Sequence, residues 1–255
     1  MINLNKYRFE NGIYIISQID KEFENLYLKV REREKRIYSD LEVSKLPSIS
    51  PGSPHFSEWK MRKRSLQRFT NYIKKYYDKL NLLDIGCGNG WFSANVANRS
   101  SIDIYALDVN KLELEQAARV FNFKNIYFIY GNIFDNIFEE SSYDIITLNS
   151  SIQYFDDLNK LTKRLFYFLT DKGEIHILDS PIYNRNELAD AKERTARYYI
   201  SNGFPEMAKH YHHQTFDELK DFNYKILYDP KAVQNNLKKI FGFKDSPFPW
   251  IRITK

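Results

Sequence analysis

Three glycines in five residues, Gly86-Cys-Gly-Asn-Gly90, stand between the apolar run Leu82-Leu-Asp-Ile85 and the segment Trp91-Phe-Ser-Ala-Asn-Val-Ala97. This spacing predicts a strand, a tight turn and a helix. Glycine takes positive φ without penalty and lets a ligand lie against the peptide plane, and the first N–H groups of the helix face the same place. Eighteen residues after Gly90 a second apolar run, Ile102–Leu107, ends in Asp108. In a strand-helix-strand unit an acid at that position can accept hydrogen bonds from sugar hydroxyls. Taken singly these features are ordinary, since glycines behind a strand often serve only a turn and a strand-ending Asp is commonly a solvated cap. Their combination limits the chain to an open α/β sheet with a ligand at its carboxyl edge.

The alternation continues down the chain. Asn125–Tyr130 and Tyr143–Leu148 read as a third and a fourth buried strand, and Glu174–Asp179 as a fifth. Before the fifth, Leu158, Leu161, Leu165 and Leu169 recur at helical spacing, and Asp171-Lys-Gly173 reads as a turn.

On Asp84-Ile-Gly-Cys-Gly-Asn-Gly90 and Ile104-Tyr-Ala-Leu-Asp-Val109 the chain resembles the class I S-adenosylmethionine-dependent methyltransferases. A nicotinamide-binding turn would more often read G-x-G-x-x-G, without an acid two residues ahead of its first glycine. The resemblance covers about Asn81 to Pro181. It implies a Rossmann-like α/β fold with a central, mostly parallel sheet flanked by helices. It also implies S-adenosylmethionine as cofactor, with S-adenosylhomocysteine as product. Carried onto this sequence, it places Asp84 near the methionine end of the cofactor, Gly86, Cys87, Gly88 and Gly90 in the turn beneath it, Asp108 at the ribose and Val109 on the adenine. Asn132, beside Ile133, stands where the family usually has an acid for the adenine amino group. Asn149 opens the loop through Tyr154 in which such enzymes place groups near the transferred methyl.

Charge is uneven along the chain. The net charge is +5, yet Ser57–Leu80 alone holds eight basic residues against two acidic ones. Trp59, Leu66, Phe69, Ile73, Tyr76 and Leu80 recur within it at helical spacing, which predicts an amphipathic helix. Its basic face is either simply solvated or an attraction for an anionic acceptor or RNA. No apolar run approaches the roughly 18 residues of a spanning helix, and the first ten residues are polar. With one cysteine, Cys87, the chain has no internal disulfide and no thiolate metal cluster, and a cytoplasmic location is expected.

Residues 1–80 read as a helical extension and linker, with a helix over Glu22–Tyr38 and a non-helical Leu46–Pro54 leading to His55 and Trp59. Residues 81–255 read as the cofactor-binding domain. Residues 184–216 form a helical insertion after the fifth strand, which relatives commonly use as a substrate lid, its helix closed by Asn202-Gly203. Lys231–Phe241 reads as a helix and Pro249–Ile253 as a final strand. Within the insertion lie His210, His212 and His213. Their spacing suits no metal site, whereas an imidazole could deprotonate an acceptor; Tyr154 is a further candidate, and packing is the competing role for all four. The expected activity is methyl transfer to an O, N or C nucleophile of a small molecule, an anionic one included. An RNA or DNA methyltransferase and a cofactor-binding but inactive protein are the alternatives. Asn149-Ser-Ser-Ile152 lacks the Asn/Asp-Pro-Pro-aromatic motif of nucleic-acid amino methylation, which counts against the first of these.

Overall fold

Leu82 and Leu83 pack into different apolar clusters, although they are neighbours in one strand. Alternation with both faces apolar marks a sheet covered on both sides. The computed structural model describes residues 2–17, 21–75, 79–98, 102–233, 235 and 245–255. In chain order its elements are β1 (Arg8–Glu10), β2 (Ile13–Ile15), α1 (Lys21–Arg33), α2 (Asp40–Lys45), α3 (Phe56–Ile73), β3 (Leu80–Ile85), α4 (Trp91–Ala97) and β4 (Ile102–Asp108). There follow α5 (Lys111–Val120), β5 (Ile126–Tyr130), β6 (Tyr143–Asn149), α6 (Leu158–Phe168), β7 (Leu169–Leu178), α7 (Leu188–Ser201), β8 (Asn223–Tyr228) and β9 (Trp250–Thr254). The strands lie in the order β1-β2-β5-β4-β3-β6-β7-β9-β8. Pairing is parallel from β2 across to β7, while β1, β9 and β8 are antiparallel to their neighbours.

On one face Leu66 and Phe69 of α3, Phe92 of α4 and Leu114 of α5 meet Leu82, Ile104 and Ile145. On the other, Leu158, Leu161 and Leu165 of α6 meet Leu83, Ile146 and Ile175. A third, smaller cluster joins Val30 of α1 to Tyr199 of α7 and Met207, with Phe23, Tyr27, Tyr154 and Tyr211 packed around them. Tyr154 lies just beyond the carboxyl end of β6, so α1 and α7 sit over the edge where ligands bind in such sheets. No described helix is long and apolar enough to cross a membrane.

Several elements differ from the sequence reading. The segment before residue 81, expected to be helical, begins with two strands, and β2 extends the sheet by pairing Ile13–Ile15 with Phe128–Tyr130. α1 stops at Arg33 rather than Tyr38, because Lys35 takes φ +57 and the Arg36 and Lys35 N–H groups bond back to the Arg31 and Glu32 carbonyls. These are the two hydrogen bonds of a Schellman stop. α3 ends at Ile73, and Leu80 opens β3 opposite Ile102. No turn divides α6 from β7: the strand runs through Asp171-Lys-Gly173 as a bulge between Tyr143 and Ile145 of β6. Gly173 is needed there because a Cβ would come within 2.6 Å of Leu169 Cγ. α7 ends as read, with Gly203 at φ +84 and Phe204 N–H bonded to the Tyr199 carbonyl. Most of the helix read over Lys231–Phe241 lies outside the described residues.

Candidate active site

The glycine turn that follows β3 packs at the carboxyl edge against the end of β4 and the loop after β6. Gly86 N–H donates to the Leu107 carbonyl at 2.9 Å, and Ser151 Oγ donates to the Ile85 carbonyl at 2.7 Å. Gly86 holds φ +73, and a Cβ there would lie 2.4 Å from Ser151 Cβ. Conformation and crowding therefore both demand glycine. Gly90 serves the packing of α4, since its Cβ would meet Ala117 and Phe128 at 2.8 and 2.9 Å. Between them Gly88 N–H donates to Asp108 Oδ2 at 2.7 Å, and Asn110 N–H donates to Oδ1 at 2.8 Å. Burial pushes the Asp108 carboxyl above its ordinary range, against these hydrogen bonds.

Two adjoining cavities open above this turn. The larger, about 580 Å³, is lined by Gly86, Gly88, Leu107, Asp108, Val109, Asn132, Ile133 and Phe134, with Phe23 and Tyr27 of α1 opposite. The smaller, about 210 Å³, takes Asp84, Cys87, Glu113 and Asn149, then Arg31, Arg36, Arg62, Gln153, Asp179 and Tyr211. Tyr27, Gly86, Gly88, Ser150 and Tyr154 border both.

A family model described as a methyltransferase domain matches residues 77–244, about two thirds of the chain, and the cavities lie largely within that span. The chain belongs to the class I S-adenosylmethionine-dependent methyltransferases. Over 114 residues it is 33% identical to malonyl-[acyl-carrier protein] O-methyltransferase 1 of Ilyobacter polytropus, covering 43% of this chain and 40% of that protein. The matched stretch thus spans less than half of that relative. Among solved structures, the YcgJ protein of Bacillus subtilis superposes with a TM-score of 0.56 at 16% identity, over 76% of this chain and 99% of that one. A geranyl diphosphate C-methyltransferase from Streptomyces coelicolor, solved with Mg²⁺, geranyl diphosphate and S-adenosylhomocysteine, gives 0.51 at 12% identity, over 89% and 96%. At these identities the structural likeness is one of fold.

The larger cavity suits the methyltransferase cofactor chemically. It combines a cradle that excludes Cβ atoms, an acid at the end of β4, and an apolar wall of Leu107, Val109, Ile133 and Phe134. Asn132 is exposed, and its Oδ1 already accepts Phe134 N–H at 3.0 Å, which leaves one lone pair for another donor. Asp84 is buried beneath the turn with both carboxylate oxygens engaged, by Ser93 Oγ at 2.5 Å and Thr147 Oγ1 at 2.7 Å. Burial raises its pKa to about 6 despite those hydroxyls. Cys87 is a free, buried thiol whose pKa burial pushes up.

The sequence reading missed several groups that border the smaller cavity. Glu113 stands beside Gly88, where a Cβ would be 3.3 Å from Glu113 Oε2. Burial raises Glu113 to about 7, partly opposed by the Arg31 charge. Arg31 is held only loosely by Glu34, at 3.8 Å, and its buried Nε has no hydrogen bond. Arg36 forms a bidentate pair with Glu58 at 2.9 and 2.6 Å, and Arg62 Nε also reaches Glu58, at 3.0 Å. Burial works to raise the Glu58 pKa, but the two arginines hold it down at about 2. Nothing in the sequence marks Arg31 apart from other charged positions of α1; the Schellman stop that follows turns the chain so that Arg36 meets Glu34 and Glu58.

Tyr154 borders both cavities as a neutral phenol, its pKa raised by burial. The histidines are dispersed. His212 borders the larger cavity and donates its backbone N–H to the Gln153 carbonyl at 2.7 Å. His210 packs 5.1 Å from the Phe23 ring, and His213 Nε2 lies 2.8 Å from Thr195 Oγ1 between Tyr183 and Tyr211. Neither of these two lines either cavity.

Proposed function

We propose that the chain methylates a small molecule bearing an anionic group, with the adenosine part of the cofactor in the larger cavity, its methionine end over the glycine turn in the smaller one, and the acceptor entering the rest of the smaller one. One observation carries this reading: the cavity over the glycine turn adjoins, across Tyr27, Gly88 and Tyr154, a second one lined by charged and polar side chains. A vestibule of about 450 Å³ leads outward from it between Arg36 and Arg62 on one side and Tyr198, Tyr199 and Tyr211 on the other. Tyr198 Oη donates to Glu34 at 2.6 Å across the mouth, from α7 to α1. Residues 184–216 would then act as the lid, with α1 as its counterpart from the other end of the chain.

Bound S-adenosylmethionine supplies a methyl group on a positively charged sulfur, already activated for transfer. The chain's task is to align the acceptor and exclude water. Asp108 accepts from the ribose hydroxyls, Val109 and Ile133 pack the adenine, and Asn132 offers its remaining lone pair to the amino group. Arg31 meets the cofactor's carboxylate, while Glu113 and Asp84 face its ammonium; Glu113 carries more of that role, because both Asp84 oxygens already hold hydroxyls. Arg31, Arg36, Arg62 and Arg194 outnumber Glu34 and Glu58 around the vestibule, and the net positive charge favours an acceptor with a negative group. Both named likenesses carry names of acceptors with such a group, malonyl-[acyl-carrier protein] and geranyl diphosphate. Nucleic acid is less well supported, because Arg68 of the basic helix turns into an ion pair with Asp245 and Asn149-Ser-Ser-Ile152 lacks the Asn/Asp-Pro-Pro-aromatic motif. His210 and His213 are assigned to packing.

Calorimetry tests the cofactor half. S-adenosylhomocysteine should bind and NAD should not. Asp108→Ala should weaken binding at least about tenfold, since each charge-assisted hydrogen bond is worth roughly 1.5–3 kcal/mol. Tighter binding of NAD, or unchanged affinity in a folded Asp108→Ala protein, would refute it.

A further inference from the structure

Two residues outside glycine take left-handed backbone at the carboxyl ends of neighbouring parallel strands: Ser150 after β6, with φ +59, and Asp179 after β7, with φ +46. They are tied to each other, since Ser150 Oγ donates to the Asp179 carbonyl at 2.8 Å and Ser150 N–H to the Leu178 carbonyl at 2.9 Å. Both border the smaller cavity. Strain of this kind persists only where the surroundings over-determine it, and it gathers at functional sites. The Asp179 side chain is also fixed, its Oδ1 accepting Ser65 Oγ from α3 at 2.7 Å and Ser246 Oγ at 2.8 Å. Its Oδ2 is buried without a hydrogen bond, as is Gln153 Oε1. Gln153 is oriented by the same group, donating Nε2–H to the Ser150 carbonyl at 2.7 Å. Two fixed, buried acceptor atoms with nothing donating to them carry a desolvation cost that a ligand's N–H or O–H group would remove.

We infer that Asp179 and Gln153 form the recognition site for the acceptor's nucleophile, that this nucleophile is an amine or a hydroxyl rather than a carboxylate, and that Asp179 takes its proton. This rests on the methyltransferase reading. The nucleophile's lone pair forms the new bond to the methyl carbon, while the carbon–sulfur pair remains on the sulfur, which becomes neutral. The hydrogen that the nucleophile sheds passes to Asp179 Oδ2 and leaves to water when product departs. The charged groups facing Asp179 are Arg62 and Arg68 of α3, the latter paired with Asp245 beside Ser246. Burial raises the Asp179 carboxyl above its ordinary range against the pull of both arginines, which brings it nearer the range of a useful base.

The test uses the full chain saturated with S-adenosylhomocysteine, titrated calorimetrically at pH 8 with benzoate and with the 3- and 4-isomers of aminobenzoate and hydroxybenzoate. All these probes share the anion and differ in the donor. At least one donor-bearing isomer should bind about tenfold or more tightly than benzoate. Asp179→Asn, which keeps the size of the side chain and an oxygen for Ser65 and Ser246, should abolish that difference without changing S-adenosylhomocysteine affinity. Should Asp179→Asn not fold, Gln153→Leu must abolish it. Benzoate binding as well as every donor isomer, no probe binding at all, or a preference that survives substitution would overturn the inference. Failure of S-adenosylhomocysteine itself to bind would instead count against the methyltransferase reading.

Discussion

At Glu113 burial and charge compete. Its folded pKa of about 7 is set first by burial and is opposed by Arg31. If Glu113 faces the cofactor's ammonium, its ionised form binds better. S-adenosylhomocysteine affinity should then rise as pH rises through about 7, with proton release below that pH measurable by calorimetry in buffers of different ionisation enthalpy. Glu113→Gln should flatten this dependence; a flat wild-type profile would remove Glu113 from the cofactor site. The same raised pKa acts on the ligand-free protein. A carboxyl whose folded pKa exceeds its unfolded one contributes stability that is fully present below the unfolded pKa and lost as pH rises through the folded one, here from about 4 to about 7. Glu113→Gln should therefore be more stable than wild type at pH 8, and the two should converge near pH 4. Asp84, Gly86, Gly88 and Asp108 were legible as residues because their spacing along one strand-turn-helix-strand unit carries the meaning. Glu113, Arg31 and Asp179 were not, since each gains its role from a neighbour distant in sequence: Gly88 for Glu113, Glu113 for Arg31, and Ser65 with Ser246 for Asp179.

At the level of elements, the strands of the sheet centre were readable because both faces are apolar and bounded by turn residues. The errors fell where tertiary contacts override local signals. Asp171-Lys-Gly173 has turn composition, yet Gly173 is placed by close contact with Leu169 and serves a bulge inside β7. The sequence predicts α1 but not its seat: Glu24 Oε1 accepts Lys111 N–H at 2.6 Å at the start of α5 and so fastens α1 over the larger cavity. Its other tether is the Tyr198–Glu34 bond to α7. Removing one hydroxyl tests whether this contact holds the mouth. In Tyr198→Phe, amide exchange in α7 should quicken, because a partly exposed hydrogen bond worth roughly 1 kcal/mol is lost. S-adenosylhomocysteine affinity should stay within twofold of wild type, since Tyr198 borders the vestibule and not the cofactor cavity. Exchange in α7 at the wild-type rate would mean that the third apolar cluster alone seats this helix.

For the whole molecule, the question is how a sheet of nine strands ends. Open edges invite pairing with other chains, and this sheet closes one side with a hairpin from its first residues. Asn11 and Gly12, at φ +50 and +82 between β1 and β2, form the turn that right-twisted antiparallel strands favour. An Asn-Gly pair between Phe9 and Ile13 is a hairpin signal that the charge-based reading of residues 1–80 passed over. The hairpin buries Ile13 completely and covers the β5 edge. It also reaches the site, because Ser17 Oγ accepts the N–H of Asn132, which lines the larger cavity, at 3.1 Å. Gly12→Val tests this connection between edge and site. Left-handed backbone costs a residue with a Cβ roughly 1–2 kcal/mol, and the new Cβ would also meet Ala118 Cβ at 2.8 Å. At about 2–4 °C per kcal/mol for a chain of this size, Tm should fall by at least several degrees. Loosening of β2 should speed amide exchange in β5 and promote self-association through its bared edge, visible by light scattering. Cofactor affinity should fall together with the Asn132 contact. If Gly12→Val keeps the wild-type Tm and oligomeric state and binds S-adenosylhomocysteine as before, the hairpin is neither a cap for the sheet nor a support for the site.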